Sequence, residues 1–208
     1  MQMPKELFNL MSFFEGYVRN YRRLNLHQST NRSMFTKKEI DYFVNLGEML
    51  GLFSFVEDYK PGTDYGRSRP MDLSWWKWDG RLDKVDYQHI VLHLERENLF
   101  KKDTETIDKL FSKTDDYYIP HYVIGIQNVE NRERIRFLNN LVIEKNLRQK
   151  SEVLMIYRYY DKPNAIDRIE CYFFDENNTL IETRRAVSTV DDSEYWFMAF
   201  EEEYKGKI

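Results

Sequence analysis

Tyr118-Ile-Pro-His-Tyr-Val-Ile-Gly-Ile126 and Glu152-Val-Leu-Met-Ile-Tyr-Arg-Tyr-Tyr160 are two β-rich apolar runs, and the stretch between them decides the fold. From Glu130 to Arg148 the apolar residues Ile135, Leu138, Leu141 and Val142 recur at helical spacing. Strand, helix, strand in that order predicts a crossover unit within a mixed sheet. Working outward, Ile166 to Phe174 and Leu180 to Val187 read as a hairpin turned at Asn177-Asn178. On the other side lie a helical stretch from Asp103 to Lys113 and a strand from Tyr87 to Glu95. A short aromatic strand, Pro70 to Trp76, precedes them, with a polar turn at Asp79-Gly80.

The N-terminal part is helical. Pro4 suits a first helical turn, and Leu7, Leu10, Met11, Phe14, Val18 and Tyr21 carry the stripe to about Leu24. Thr36-Lys-Lys-Glu39 is a capping-box pattern that places a second helix start there. Ile40, Phe43, Val44, Gly47 and Leu50 are its expected buried stripe, and the segment from Asp58 to Arg69 reads as an exposed loop. The fold class is therefore α/β: a central mixed β-sheet flanked by helices, with an N-terminal helical pair and a C-terminal β-hairpin. We expect one domain over residues 1–208, made of a helix and loop (1–35), a core (36–160), and a hairpin and tail (161–208).

Composition bounds the function. The 208 residues include 29 Tyr and Phe together against eight Gly and five Pro, which suits regular elements and excludes a disordered chain. No apolar stretch approaches the roughly 20 residues of a membrane helix, and Met1 to Asn9 lacks the pattern of a signal peptide. The lone Cys171 allows no disulfide framework and no cysteine zinc site. A cytoplasmic protein without a membrane partner is the expectation. The net charge of −4 hides a polarity: six bases against one acid between Phe14 and Lys38, and ten acids against four bases from Glu170 onward. The first region could serve a nucleic acid or simply be a solvated face.

Chemistry concentrates in Arg69-Pro-Met-Asp-Leu-Ser-Trp75 and His93-Leu-Glu-Arg-Glu-Asn98. Asp72 is an acid among apolar neighbours, and Glu95 and Glu97, two apart on a strand, share a face. If the two strands pair as antiparallel neighbours, the three carboxylates converge. Gathered carboxylates repel, and a divalent cation with oxygen ligands, Mg²⁺ or Mn²⁺, relieves that. Such a cation polarises a phosphoryl oxygen and activates water. No Gly-x-Ser-x-Gly elbow and no phosphate-cradling Gly-rich loop is present, and the four His show no zinc-protease spacing. The alternative reading is a solvated strand end, with Asp72 capping a turn.

Pro70-x-Asp72 followed by Glu95-x-Glu97 resembles the PD-(D/E)xK restriction-endonuclease-like superfamily, in the variant with glutamate in place of the usual lysine. The order of elements from Thr36 to Tyr160, and a following helix with Asp108-Lys109-Leu110, are similar to it as well. The resemblance implies a metal-dependent nuclease, a phosphodiester hydrolase acting on DNA ahead of RNA, with Asp72 and Glu95 as ligands of Mg²⁺ or Mn²⁺. It puts Glu97 where the water-orienting lysine stands, a departure because a carboxylate brings no positive charge. It also suggests Glu48 as an added acid from the preceding helix. Arg67 and Arg69 in the flexible loop, and Arg22 and Arg23 near the first inter-helix loop, are candidate nucleic-acid contacts. Trp75, Trp76 and Trp78 read as packing first, with Trp78 the one candidate for base contact. A possible homodimer and a non-catalytic binding module that keeps the nuclease fold complete the expectations.

Overall fold

The computed structural model describes residues 8–24, 31–56, 71–77, 89–112 and 119–203, leaving aside the side chain of Arg32. Helix α1 (Leu10–Arg19) starts where Asn9 Oδ1 accepts the Met11 N–H at 2.9 Å. It buries Leu10, Met11, Phe13, Phe14, Tyr17 and Val18 on one stripe. It ends at Arg19, short of the expected Leu24, where Asn20 turns its amide onto the Gly16 carbonyl. Helix α2 (Arg32–Met49) begins four residues before the expected capping box, because Asn31 caps it through the Ser33 N–H at 2.9 Å. Thr36 and Glu39 are thereby released for other partners. Leu50, expected inside, is exposed, since the chain leaves the helix there and turns at Gly51 with φ +80°.

The helices cover one eight-stranded sheet whose spatial order follows the chain: β1 (Phe53–Val56), β2 (Leu73–Lys77), β3 (His89–Glu97), β4 (Tyr122–Asn128), β5 (Glu152–Asp161), β6 (Ile166–Phe174), β7 (Leu180–Val190) and β8 (Trp196–Phe200). Strands β1, β2 and β3 form an antiparallel meander. Strands β3, β4 and β5 are parallel, with α3 (Asp103–Leu110) and α4 (Glu133–Gln149) in the two connections. From β5 to β8 the sheet is antiparallel again. The expected crossover units and hairpin are present, and β1 and β8 are additions to the expected order. The tail beyond the expected hairpin folds back as β8, where Phe200 meets Phe14 edge-on at 5.9 Å.

Two cores form, one on each sheet face. The first joins α1 and α2 to Leu92, Leu94, Ile124 and Ile156. The second joins α3 and α4 to Val123, Val153, Met155 and Tyr157. The parallel strands are covered on both sides, which is why β4 and β5 read as nearly continuous apolar runs. Trp75 and Trp76 are fully buried, as their packing role requires. Gly47 lets α2 rest directly on the Trp75 indole, since a Cβ there would stand 2.5 Å from Nε1. Among the described residues no helix is long and apolar enough to cross a membrane.

Candidate functional site

The site grows from the register of β2 on β3. Leu73 pairs with Leu94, so Asp72, at the bend just before β2, comes opposite Glu95. Asp72 is thus a strand-entry residue and not the mid-strand charge that the sequence suggested. Two bonds lace Asp72 to the end of β3. The Asp72 N–H donates to Glu95 Oε1 at 3.1 Å, and Asp72 Oδ2 accepts the Arg96 N–H at 2.7 Å. Glu95 is only 5% exposed, and burial together with the like charge of Asp72 pushes its carboxyl up to about 7. An ion pair with Lys109 of α3, Nζ to Oε1 at 2.6 Å, pulls the other way without cancelling the cost.

Glu97, the third acid, ends β3 half-buried, and its Oε1 accepts the Leu99 N–H at 2.6 Å. It borders a cleft of about 620 Å³ between α2 and the meander, which Asp72, Thr36, Ile40, Val56 and Asn98 also line. Glu48 is not brought to this cluster. It is exposed on α2 and lines a separate groove of about 980 Å³ together with Arg23 and Tyr42 of the α1–α2 pair. Arg22 is engaged elsewhere, bonded to Asp191 Oδ2 at 2.7 Å with its guanidinium 3.8 Å above the Tyr195 ring. Arg67, Arg69, Trp78 and the Asp79-Gly80 turn lie outside the described residues. His93 is fully buried in β3 with neither ring nitrogen bonded, and burial lowers its pKa to about 3.

Sequence reading did not single out Lys109 or Glu39 for this region. Lys109 was seen only within a family-like helix, and its reach to Glu95 depends on how α3 packs against β3. Glu39 was read as half of a capping box. It is instead a fully buried carboxylate bonded to Arg96 Nε and to the Tyr17 hydroxyl, with Arg158 Nη1 at 3.3 Å. Arg96 sends its side chain to the face opposite Glu95, as strand alternation requires. It also donates to Asn128 Oδ1 at 3.1 Å and to the Glu97 carbonyl. The one available signal was alternation: Arg96 follows Leu92 and Leu94 on the face that packs under α2.

Asp72 and Glu95 are the oxygen donors that could hold a hard cation here. Among the described residues no group of three acids, His or Cys stands close enough to form a closed cage. Two carboxylates are enough for Mg²⁺, which keeps several waters and completes its shell with substrate phosphate. The Glu95 carboxyl, raised by burial and by Asp72, keeps Lys109 as its one charged partner of opposite sign among the described residues.

No family model and no curated protein sequence matches the chain. Among solved structures, the central domain of yeast acetyl-CoA carboxylase aligns at a TM-score of 0.34 and 6% identity, over 82% of this chain and 35% of the carboxylase chain. The chain spans about a third of that structure's length, and so low a likeness says nothing about activity.

Proposed function

We propose that the protein is a metal-dependent phosphodiesterase acting on nucleic acid, DNA ahead of RNA. Asp72 and Glu95 would hold Mg²⁺ or Mn²⁺, and the observation that carries the reading is Glu95: a buried carboxylate facing one acid and touched by one lysine. The cation supplies polarisation of a phosphoryl oxygen and activation of water. The residues of the chain divide the remaining tasks. Lys109 brings to Glu95, through its ion pair, the positive charge that Glu97 lacks. Glu97 closes the end of β3 through the Leu99 N–H and faces the cleft beside Asp72. The helix, three-stranded meander, helix and parallel strand from α2 to β4 support the superfamily resemblance as an order of elements.

The test combines cleavage and metal response. Single- and double-stranded DNA and RNA are incubated with Mg²⁺ or Mn²⁺. Cleavage should fall by at least about 100-fold in Asp72→Asn, Glu95→Gln and Lys109→Ala. Mn²⁺ should raise the melting temperature of wild type and Lys109→Ala but not of Asp72→Asn, because only ligand loss removes binding to the native state. Equal shifts in wild type and Asp72→Asn would refute the metal site. A specific shift without cleavage of any substrate would replace this reading by the binding module. The internal pairing of cations such as Arg22 with Asp191 is the observation on that side.

A further inference from the structure

We propose that Arg96 is a positioning residue for the Asp72–Glu95 pair, anchored for that task by Glu39 of α2. The inference rests on the metal-site reading above and concerns what holds that site in shape.

Arg96 stands between Glu95 and Glu97 in β3, so its backbone is part of the site while its side chain leaves by the opposite face. Its N–H donates to Asp72 Oδ2 at 2.7 Å, a contact that fixes one candidate ligand oxygen before any cation arrives. Its guanidinium is bonded on every side. Nε meets the Glu39 carboxylate, Nη1 the Glu97 carbonyl, and Nη2 Asn128 Oδ1 at 3.1 Å. Asn128 in turn donates to the Asn98 carbonyl at 3.2 Å, and the Asn98 amide reaches the Thr36 hydroxyl. A closed ring of contacts thus ties the ends of β3 and β4 to α2 around the residue whose peptide holds Asp72.

Stability alone is a poor reason for this arrangement. Both side chains of the Arg96–Glu39 pair are fully buried, and the desolvation of such a pair offsets most of its attraction. Leu92 and Leu94 fill the preceding positions on the same face, so an apolar pair in place of both Arg96 and Glu39 would suit this core, whereas losing Arg96 alone strands the buried Glu39. An apolar pair would remove from the β3 terminus the bonds to the Glu97 carbonyl and to Asn128. The planar fork of arginine fixes the Glu97 carbonyl and the Asn128 side chain together, which a point charge on a flexible stem does not. Groups that orient metal ligands from behind matter to affinity about as much as this geometry suggests, with losses of about 10–100-fold when removed.

The experiment is Mn²⁺ titration calorimetry on the whole chain at a temperature where circular dichroism shows each protein fully folded. Three variants are compared with wild type: Arg96→Lys, Asn128→Ala, and Tyr159→Phe, which removes a buried 2.6 Å bond between β5 and Glu170 of β6, outside the contacts of Arg96. Arg96→Lys should weaken Mn²⁺ by about 10-fold or more, Asn128→Ala by a smaller factor, and Tyr159→Phe should bind as wild type does. If Arg96→Lys fails to fold, Asn128→Ala alone decides. Wild-type affinity in a folded Arg96→Lys or Asn128→Ala protein overturns the positioning role and leaves the metal site standing. A wild-type protein that binds no Mn²⁺ overturns the metal reading, and the positioning role with it.

Discussion

Glu95→Gln should make the protein more stable, and increasingly so as the pH rises. The Glu95 carboxyl lies at about 7 in the fold against 4.5 when unperturbed, because burial and Asp72 outweigh the help of Lys109. The sign follows from proton uptake. Between pH 4.5 and 7 the native state keeps a proton that the unfolded chain has released, so stability falls as pH rises through that window. The cost is absent below pH 4.5 and complete above pH 7. At about 1.4 kcal/mol per pH unit, the full cost is about 3 kcal/mol, or about 6–12 °C in melting temperature for a chain of this size. Glutamine keeps an oxygen for the Asp72 N–H and carries no titrating charge, so its other effects on stability are constant with pH. Urea unfolding of both proteins from pH 4 to pH 8 measures this difference. A gap that widens by about 3 kcal/mol in favour of the variant supports the electrostatics described here. A flat gap, or one that widens in favour of wild type, would show that Lys109 dominates and that Glu95 is an ordinary paired carboxylate.

Two further outcomes test the packing around the site. His93 titrates at about 3 in the fold against 6.5 when unperturbed, so the native state excludes its proton; stability is unaffected above pH 6.5 and falls as pH drops toward 3. His93→Leu should remove that dependence and gain about 3 kcal/mol on wild type at pH 4, read by urea midpoints, and equal acid sensitivity of the two proteins would contradict it. Gly47→Ala sets a Cβ 2.5 and 2.6 Å from two atoms of the buried Trp75 ring, which cannot swing away within a packed core. It should cost about 1–3 kcal/mol although alanine favours helix, and a melting temperature at or above that of wild type would show that α2 is free to lift.

The fold was legible wherever local pattern and tertiary burial agree. Ile135, Leu138 and Val142 repeat at helical spacing because α4 buries one stripe, and β4 and β5 are apolar throughout because parallel strands are covered twice. The pattern misled where two local signals competed. Asn31 and Thr36 are both good N-caps, and the chain uses Asn31 because Thr36 and Glu39 have distant partners, Asn98 and Arg96. Strand β8 went unread because Trp196–Phe200 is only five residues long, and half of its case for existing is the β7 edge it covers. The apparent charge polarity of the chain is partly a product of the same folding. Arg19 meets Glu203 and Arg22 meets Asp191, so the basic N-terminal stretch and the acidic tail neutralise each other in part.

The candidate site was legible as residue types and opaque as geometry, for a physical reason. Asp72, Glu95 and Glu97 announce themselves because acids beside buried apolar residues demand compensation, and that demand is visible without coordinates. The form of compensation is not. Lys109 reaches Glu95 through the packing of α3 on β3, and Glu39 reaches Arg96 from 57 residues away. Neither partner differs in sequence from a surface charge on an amphipathic helix. What distinguishes them is that each meets a charged residue of β3 from a different side of the sheet. Lys109 acts on the Glu95 face and Glu39 on the Arg96 face, so adjacent residues of one strand are held by separate helices. A strand clamped in this way resists rotation about its own axis, which is the motion that would part Asp72 from Glu95. The same inward charges that make the strand end expensive to bury therefore make it stiff. Stiffness at the two candidate ligands is what binding a small, geometrically demanding cation requires.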